Sequence, residues 1–313
     1  MIGVLDYIRN AFRYGNTLVQ IITINVVIYL LLIVGSLGLA IAGTNFFKAY
    51  EFLADWLVLK AYVQDFIHQP WGLFTYSFTH GVSFFHLLFN MLYLYWLGML
   101  VQEYIGSQKL LNIYIIGAIF AGLVHISFYA VLKIIGPSVI VFDNYLTGAS
   151  AATFAVAFAA VTLVPEYELM LLGIIPIRIK YLVWIILVMS FFVYDGRAFH
   201  LASGISHASG AFIGYLYIKL LRNGTDLGSP IEAFSDWWRG LRQPKIQQPP
   251  RRRYAEKAHA SRGSYTPLDL ENPEYFPDQD EVDAILDKIN NSGYESLTKE
   301  EKQKLFRASQ KKD

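Results

Sequence analysis

Residues 145–161 read YLTGASAATFAVAFAAV, an apolar and alanine-rich stretch that predicts a helix inside a membrane. Gly148, Ser150 and Thr153 stand near its start. Small hydroxyl side chains in membrane helices usually pack helices together or bond the backbone. The side chains around Ser150 are so small that another helix can approach closely, and free N–H groups at a helix start can bind an oxyanion. From this stretch alone, Ser150 is either a packing residue, the commoner case, or a nucleophile.

The composition predicts a protein that crosses a membrane several times. The chain has 313 residues, of which 54% are hydrophobic and 16% charged, and the apolar runs end near Leu221. The net charge of +1 gives no general attraction to nucleic acid. The absence of cysteine excludes disulfides, thiolate catalysis and cysteine-bound metals.

Six apolar segments are long enough, or nearly so, to be membrane helices, and together they predict an all-α bundle. The first is expected to be a retained helix rather than a cleavable signal, because its apolar run is too long. The fifth is short, and the apolar run at 169–177 is a candidate extension of it. The segments are 17–42, 84–101, 110–132, 146–164, 181–194 and 202–221.

Basic residues near the segment ends predict that both termini are cytoplasmic, as expected for the inner membrane of a bacterium. They precede the first segment, separate the second from the third and the fourth from the fifth, and end the sixth. These residues are Arg9, Arg13, Lys109, Arg178, Lys180, Lys219 and Arg222. The aromatic loop at 43–80 predicts short helices in the outer interface.

The polar tail divides the chain further, giving a membrane domain at 1–222 and two shorter parts. Residues 223–267 combine an amphipathic segment, with Ile231, Phe234, Trp238 and Leu241 on one face, and a Pro- and Arg-rich linker expected to be disordered. Residues 268–313 predict a helical hairpin, with Gly293 as a helix stop and Thr298 and Glu301 as a capping box. Because the hairpin is too small for a stable core, we expect it to dock on a partner whose identity the sequence does not give.

Polar side chains in the second segment are candidates for a site, because they are costly in lipid. His86 and Asn90 are four residues apart and share one helix face, and His80 lies just before that helix. The plain alternative is a hydrogen-bonded pair between helices. A zinc protease helix would need a second histidine and an intervening glutamate, so the pattern argues against a metal site, and no cofactor is expected.

The sixth segment carries a histidine beside a small-residue face. Gly210 and Gly214 are four residues apart and predict close packing against another small-residue helix, for which the alanine-rich fourth segment is the obvious partner. A lone His207 would more often be structural. Together with Ser150 it forms a possible Ser–His dyad, although no aspartate is suited to complete a triad.

Three separated motifs resemble those of the rhomboid family of intramembrane serine proteases. HGVSFFHLLFN (80–90), GAS (148–150) and HASGAFIG (207–214) match in order and helix number, over about residues 15–222. The resemblance implies that Ser150 is the nucleophile, that His207 is the general base, and that His86 and Asn90 bind the oxyanion. It also implies that Phe154 packs on His207, that substrates are transmembrane proteins cut near the outer face, and that Gly148, Gly210, Gly214 and His80 support the site.

The chain departs from the family pattern at three places. Ala151 stands where the family has glycine, Gly72 where it often has arginine, and His80 is one residue further from His86 than expected. The tail resembles extensions of rhomboid-like proteins from Bacteroidetes-type bacteria. Two other functions remain open: a catalytically silent relative that binds membrane clients, and a small-solute transporter, which would need paired charges or broken repeats.

Overall fold

The chain divides into two units, residues 1–244 and 245–313, and helices dominate the described residues of both. The computed structural model describes residues 4–135, 144–171, 175–192, 201–242, 277–292 and 296–310. The helices of the first unit are α1 Val4–Tyr14, α2 Thr17–Ile41, α3 Phe46–Ala54, α4 Val63–His68, α5 Gly72–Thr75, α6 Phe84–Ile105, α7 Ser107–Ile135, α8 Ser150–Leu163, α9 Ile179–Met189, α10 Leu201–Arg222 and α11 Ser229–Arg242.

Each of the six predicted segments contains a helix. Among the described residues, α2, α6 and α7 are long and apolar enough to cross a membrane, whereas α8 and α9 are apolar but shorter. Crossing by α8, α9 and α10 therefore stays a prediction. The predicted end of the fifth segment, Tyr194, lies outside the described residues.

The helix of the fourth predicted segment is α8. It begins at Ser150, later than residue 146, where the sequence predicted its start. Tyr145 and Leu146 instead form a short strand, β2 (Tyr145–Leu146), which pairs antiparallel with β1 (Leu59–Lys60). Gly148 has a φ of +110°, and a positive φ lies outside the right-handed helical region. The helix can start only after this glycine, so Ser150 is the first residue of α8.

The apolar run at 169–177 is not an extension of the fifth helix, and that prediction was wrong. The described parts of this run belong to two strands that pair antiparallel, β3 (Glu168–Leu171) and β4 (Ile175–Arg178), and α9 begins directly after β4. Pro176 lacks the N–H that a helix interior requires, and β-branched isoleucines favour strands. In this strand pair, Glu168 lies opposite Arg178. The Nη1 atom of Arg178 also lies 3.0 Å from the Oε2 atom of Glu166.

Short helices occupy the loop at 43–80, where the sequence predicted them. Asn45 caps α3 by accepting hydrogen bonds from the N–H groups of Phe47 and Lys48. A Cβ at Gly72 would lie 2.6 Å from the carbonyl oxygen of Val58, so this position accepts no larger residue. The arginine that the family pattern often carries there is thus excluded by backbone packing in this chain.

Helix α8 is the centre of the first unit, since its residues 151–160 are all buried. On one side, α10 approaches α8 very closely. A Cβ at Gly210 would lie 2.1 Å from the carbonyl oxygen of Ala151, and a Cβ at Gly214 would lie 2.0 Å from that of Ala155. On the other side, a Cβ at Gly117 of α7 would lie 2.4 Å from that of Ala155. This is the packing between α10 and α8 that the sequence predicted.

A charged cluster joins α7, α10 and α11, and it was not predicted from the sequence. Lys109 forms ion pairs with Asp226 and with Glu232, which also accepts a 2.7 Å hydrogen bond from Asn112. Tyr217 donates to Asp226 over 2.8 Å. Burial opposes ionisation of Asp226, but hydrogen bonds from Lys109, from the Gly228 N–H and from Tyr217 outweigh it and lower its pKa. The cluster fixes the first tail helix to the bundle.

On α11 itself, Phe234 and Trp237 are both more than half exposed. Phe234 lies on the predicted apolar face, whereas the side chains of Trp238 and Leu241 lie outside the described residues. The linker at 243–276 and the predicted helix stop at Gly293 are also outside them.

The described residues of the second unit, 277–292 and 296–310, form two helices, α12 (Gln279–Ser292) and α13 (Lys299–Gln310). Both hydrogen bonds of the predicted capping box are present: Thr298 N–H donates to Glu301 over 2.7 Å, and Glu301 N–H donates to the Thr298 hydroxyl over 3.2 Å. Lys288 also reaches Glu301, at 2.7 Å, and Ile285 and Leu297 are buried.

The helix contact can be tested with one substitution made at two glycines. Gly214→Ala should lower stability by about 1–3 kcal/mol, because the methyl group would overlap the Ala155 carbonyl. Gly38→Ala is the matched control: nothing lies within 4 Å of a Cβ there, so its melting temperature in detergent should stay at the wild-type value. Equal melting temperatures for the two variants would contradict the described packing.

Candidate functional site

Ser150 and His207 meet where α8 and α10 pack. The Nε2 atom of His207 lies 2.7 Å from the Oγ atom of Ser150, within hydrogen-bonding distance. Ser150 is the first residue of α8, and N–H groups of a first helical turn have no partner within the helix. The predicted pair is therefore together in space, with backbone donors beside the hydroxyl.

Aromatic rings hold His207 from one side. The ring centroids of His207 and Phe154 are 4.9 Å apart, and the two planes are inclined by 36°. Phe154 is 4% exposed and also contacts Tyr93 of α6, with 5.8 Å between the ring centroids. The sequence reasoning missed Tyr93, although its spacing from His86 and Asn90 puts it on the same face of α6.

His86 lies beside the turn that precedes Ser150. A Cβ at Gly148 would be 3.2 Å from Cε1 and 3.4 Å from Nε2 of His86, and 3.8 Å from the Ser150 Oγ. Two hydrogen bonds anchor this turn: Gly148 N–H donates to Tyr76 O over 3.0 Å, and Thr147 Oγ1 donates to Thr79 O over 3.0 Å. Gly148 thus leaves room for the imidazole next to the hydroxyl.

Asn90 is buried on α6 and donates a 2.9 Å hydrogen bond to the carbonyl oxygen of His86, one turn earlier. A side-chain amide carries two N–H groups, and this bond uses one of them. Asn90 is therefore held on its own helix, on the face that carries His86.

His80 is a packing neighbour of His86. Its ring is 1% exposed and meets the His86 ring edge to face, with 5.4 Å between centroids. Its carbonyl oxygen accepts a 2.6 Å hydrogen bond from Tyr50, which ties the residue to α3. Within the described part of the chain, neither ring nitrogen of His80 has a hydrogen-bond partner.

Comparison with known proteins gives two family matches. The Rhomboid domain matches residues 67–224, half of the chain, and a family of unknown function (DUF6576) matches residues 272–311. The chain is also similar to the Rhomboid protease GlpG of Klebsiella pneumoniae (strain 342), 40% identical over 60 residues, and to that of Salmonella enteritidis PT4 (strain P125109), 41% identical over 60 residues. Each alignment covers 19% of this chain and 21% of the relative, so it spans about a fifth of the relatives' length.

The aromatic contact on His207 predicts a large stability cost at Phe154. Phe154→Ala should lower stability by about 3–5 kcal/mol, because it leaves a cavity between His207 and Tyr93. Phe52→Ala is the control, since Phe52 is 64% exposed on α3 and its truncation leaves no internal cavity. Melting curves in detergent compare the two; a Phe154→Ala protein as stable as the control would contradict the packing.

Proposed function

The chain belongs to the rhomboid family, and on this premise we propose that it is a serine endopeptidase that cleaves transmembrane proteins within the membrane. Ser150 is the nucleophile and His207 the general base. The 2.7 Å distance between His207 Nε2 and Ser150 Oγ carries this proposal, because proton transfer requires hydrogen-bonding reach.

In the proposed reaction, His207 Nε2 takes the hydroxyl proton as Ser150 Oγ attacks the carbonyl carbon of the scissile peptide bond. The tetrahedral intermediate collapses when the imidazolium gives that proton to the leaving amine. A water molecule, deprotonated by the same nitrogen, then attacks the acyl-enzyme and frees Ser150. No cofactor takes part in these steps.

His86, Asn90 and the backbone N–H of Ser150 form the proposed oxyanion site. The His86 imidazole next to Gly148 supports this role, since it lies beside the hydroxyl that attacks. Asn90 keeps a second amide N–H for the oxyanion beyond the one given to His86 O. Such donors act strongly because they are already oriented before charge develops.

We further propose that α2, α6, α7, α8, α9 and α10 are six spans, that both termini are cytoplasmic and that the protein lies in a bacterial inner membrane. The basic residues near the helix ends support this orientation. It puts Ser150 and His207 toward the outer half, so substrates are cut near the outer face. A substrate helix must unwind there before its carbonyl is reachable, which favours small or helix-breaking residues near the cut.

The proposal predicts that Ser150→Ala and His207→Ala abolish cleavage of a model transmembrane substrate and labelling by a fluorophosphonate. The loss should be about a thousandfold or more. Ser127→Ala is the control, because Ser127 is an exposed serine on α7 that bonds only its own helix in the described contacts. A folded wild-type protein that neither labels nor cleaves would instead favour a client-binding relative.

The turn before Ser150 gives a second test with a matched control. Gly148→Ala should slow fluorophosphonate labelling about tenfold or more, because the methyl group strains a positive φ and pushes against the His86 imidazole. Gly106→Ala puts the same strain at φ +88 with nothing within 4 Å of the new methyl, so its labelling rate should stay near wild type. Equal labelling rates for the two variants would contradict a role of Gly148 in supporting the site.

A further inference from the structure

A second histidine–serine pair lies next to the first, where α10 packs against α7. The Nδ1 atom of His125, on α7, is 3.1 Å from the Oγ atom of Ser206. His125 is 1% exposed and Ser206 is fully buried, so the pair is closed to substrate. Ser206 directly precedes His207, and neither the sequence motifs nor the proposed chemistry gives it or His125 a role.

The hydrogen bonds assign the proton in this pair. The Ser206 hydroxyl donates to the carbonyl oxygen of Ala202 over 3.0 Å, which uses its one proton. With that proton used, the Ser206 oxygen can only accept, so a hydrogen bond within the pair requires the His125 proton to lie on Nδ1. Fixed in this way, His125 is a donor that α7 directs at a single atom of α10.

The location of the pair bears on the rotation of α10 about its own axis. Successive residues of a helix point about 100° apart, so fixing Ser206 against α7 also fixes the direction of His207. Phe120 of α7 and Phe212 of α10 add a ring contact with 6.3 Å between centroids, one to two turns further along. Toward α8, Gly210 and Gly214 of α10 set the distance between the helices but offer no side chain for a directional bond.

Burying an imidazole in a membrane span costs free energy. The simplest explanation for His125 is a hydrogen bond that holds two helices together. That reading does not require the acceptor to be the residue beside His207. We propose that His125 is a positioning residue, which orients the His207 imidazole toward Ser150 through its hydrogen bond to Ser206. The inference rests on the proposed serine protease function.

The test uses labelling of Ser150 by a fluorophosphonate, because a small probe separates chemistry from substrate docking. His125→Leu and Ser206→Ala should each slow the maximal labelling rate about tenfold while the probe concentration for half-maximal rate stays unchanged. His125→Asn should keep the rate within about twofold of wild type, since the Asn amide nitrogen is one bond beyond Cγ, like Nδ1 of histidine. His125→Gln has its amide one bond further out and should be as slow as His125→Leu.

Ser36→Ala controls for the loss of a buried hydroxyl. Ser36 is fully buried on α2 and bonds the carbonyl oxygen four residues earlier, as Ser206 does, but it lies on a helix without a site residue. Its labelling rate should match wild type. The double variant His125→Leu/Ser206→Ala removes both polar partners, so it should regain melting temperature relative to Ser206→Ala yet label as slowly.

Wild-type labelling together with His125→Leu labelling within twofold of it would overturn this inference alone. The same holds if the Asn and Gln variants are equally slow, or if the rates of all variants, Ser36→Ala included, follow their melting temperatures. A wild-type protein that does not label at Ser150 would overturn the proposed function and this inference with it. Slow labelling by Leu and Gln with rescue by Asn supports the positioning role.

Discussion

The close approach of α10 to α8 is the contact on which the site depends. Gly210 and Gly214 lie against the carbonyl groups of Ala151 and Ala155, and a side chain at either glycine would push the helices apart. The atoms that lie nearest to a Cβ at Gly210 are the backbone O, C and Cα atoms of Ala151, rather than its methyl group. Alanine at 151, where the family pattern has glycine, is therefore compatible with the 2.7 Å distance between His207 and Ser150.

The second constraint is the backbone before Ser150. A strand pair, a positive φ at Gly148 and two hydrogen bonds to the loop at 76–79 bring the chain to Ser150 already oriented. The helix then begins at the proposed nucleophile itself, which leaves first-turn N–H groups beside the hydroxyl. A helix starting at residue 146, as the sequence suggested, would have buried those groups in its own hydrogen bonds.

The parts of the fold and of the site that could be predicted from the sequence are those with a helical periodicity or a fixed residue spacing. His207, Gly210 and Gly214 share a helical face, so their packing partner was predictable, and the capping box of α13 needs only four residues. An apolar run of nine residues does not separate strand from helix, which is why the β3–β4 hairpin was missed. The partners of Lys109 are 117 and 123 residues away, and no local pattern reports such a distance.

In the described part of the chain no carboxylate bonds the His207 imidazole, and there is a physical reason for this. A carboxylate behind His207 would have to be ionised in a buried, low-dielectric place, at a cost that few partners there would offset. Orientation by packing avoids that cost: Phe154 packs on the imidazole, the glycines set the distance between α8 and α10, and the proposed role of the His125–Ser206 hydrogen bond is to set the rotation of α10. In the described part of the chain, Nδ1 of His207 accordingly has no hydrogen-bond partner. In the proposed arrangement, the packing of the helices rather than a charged side chain orients the His207 imidazole toward Ser150.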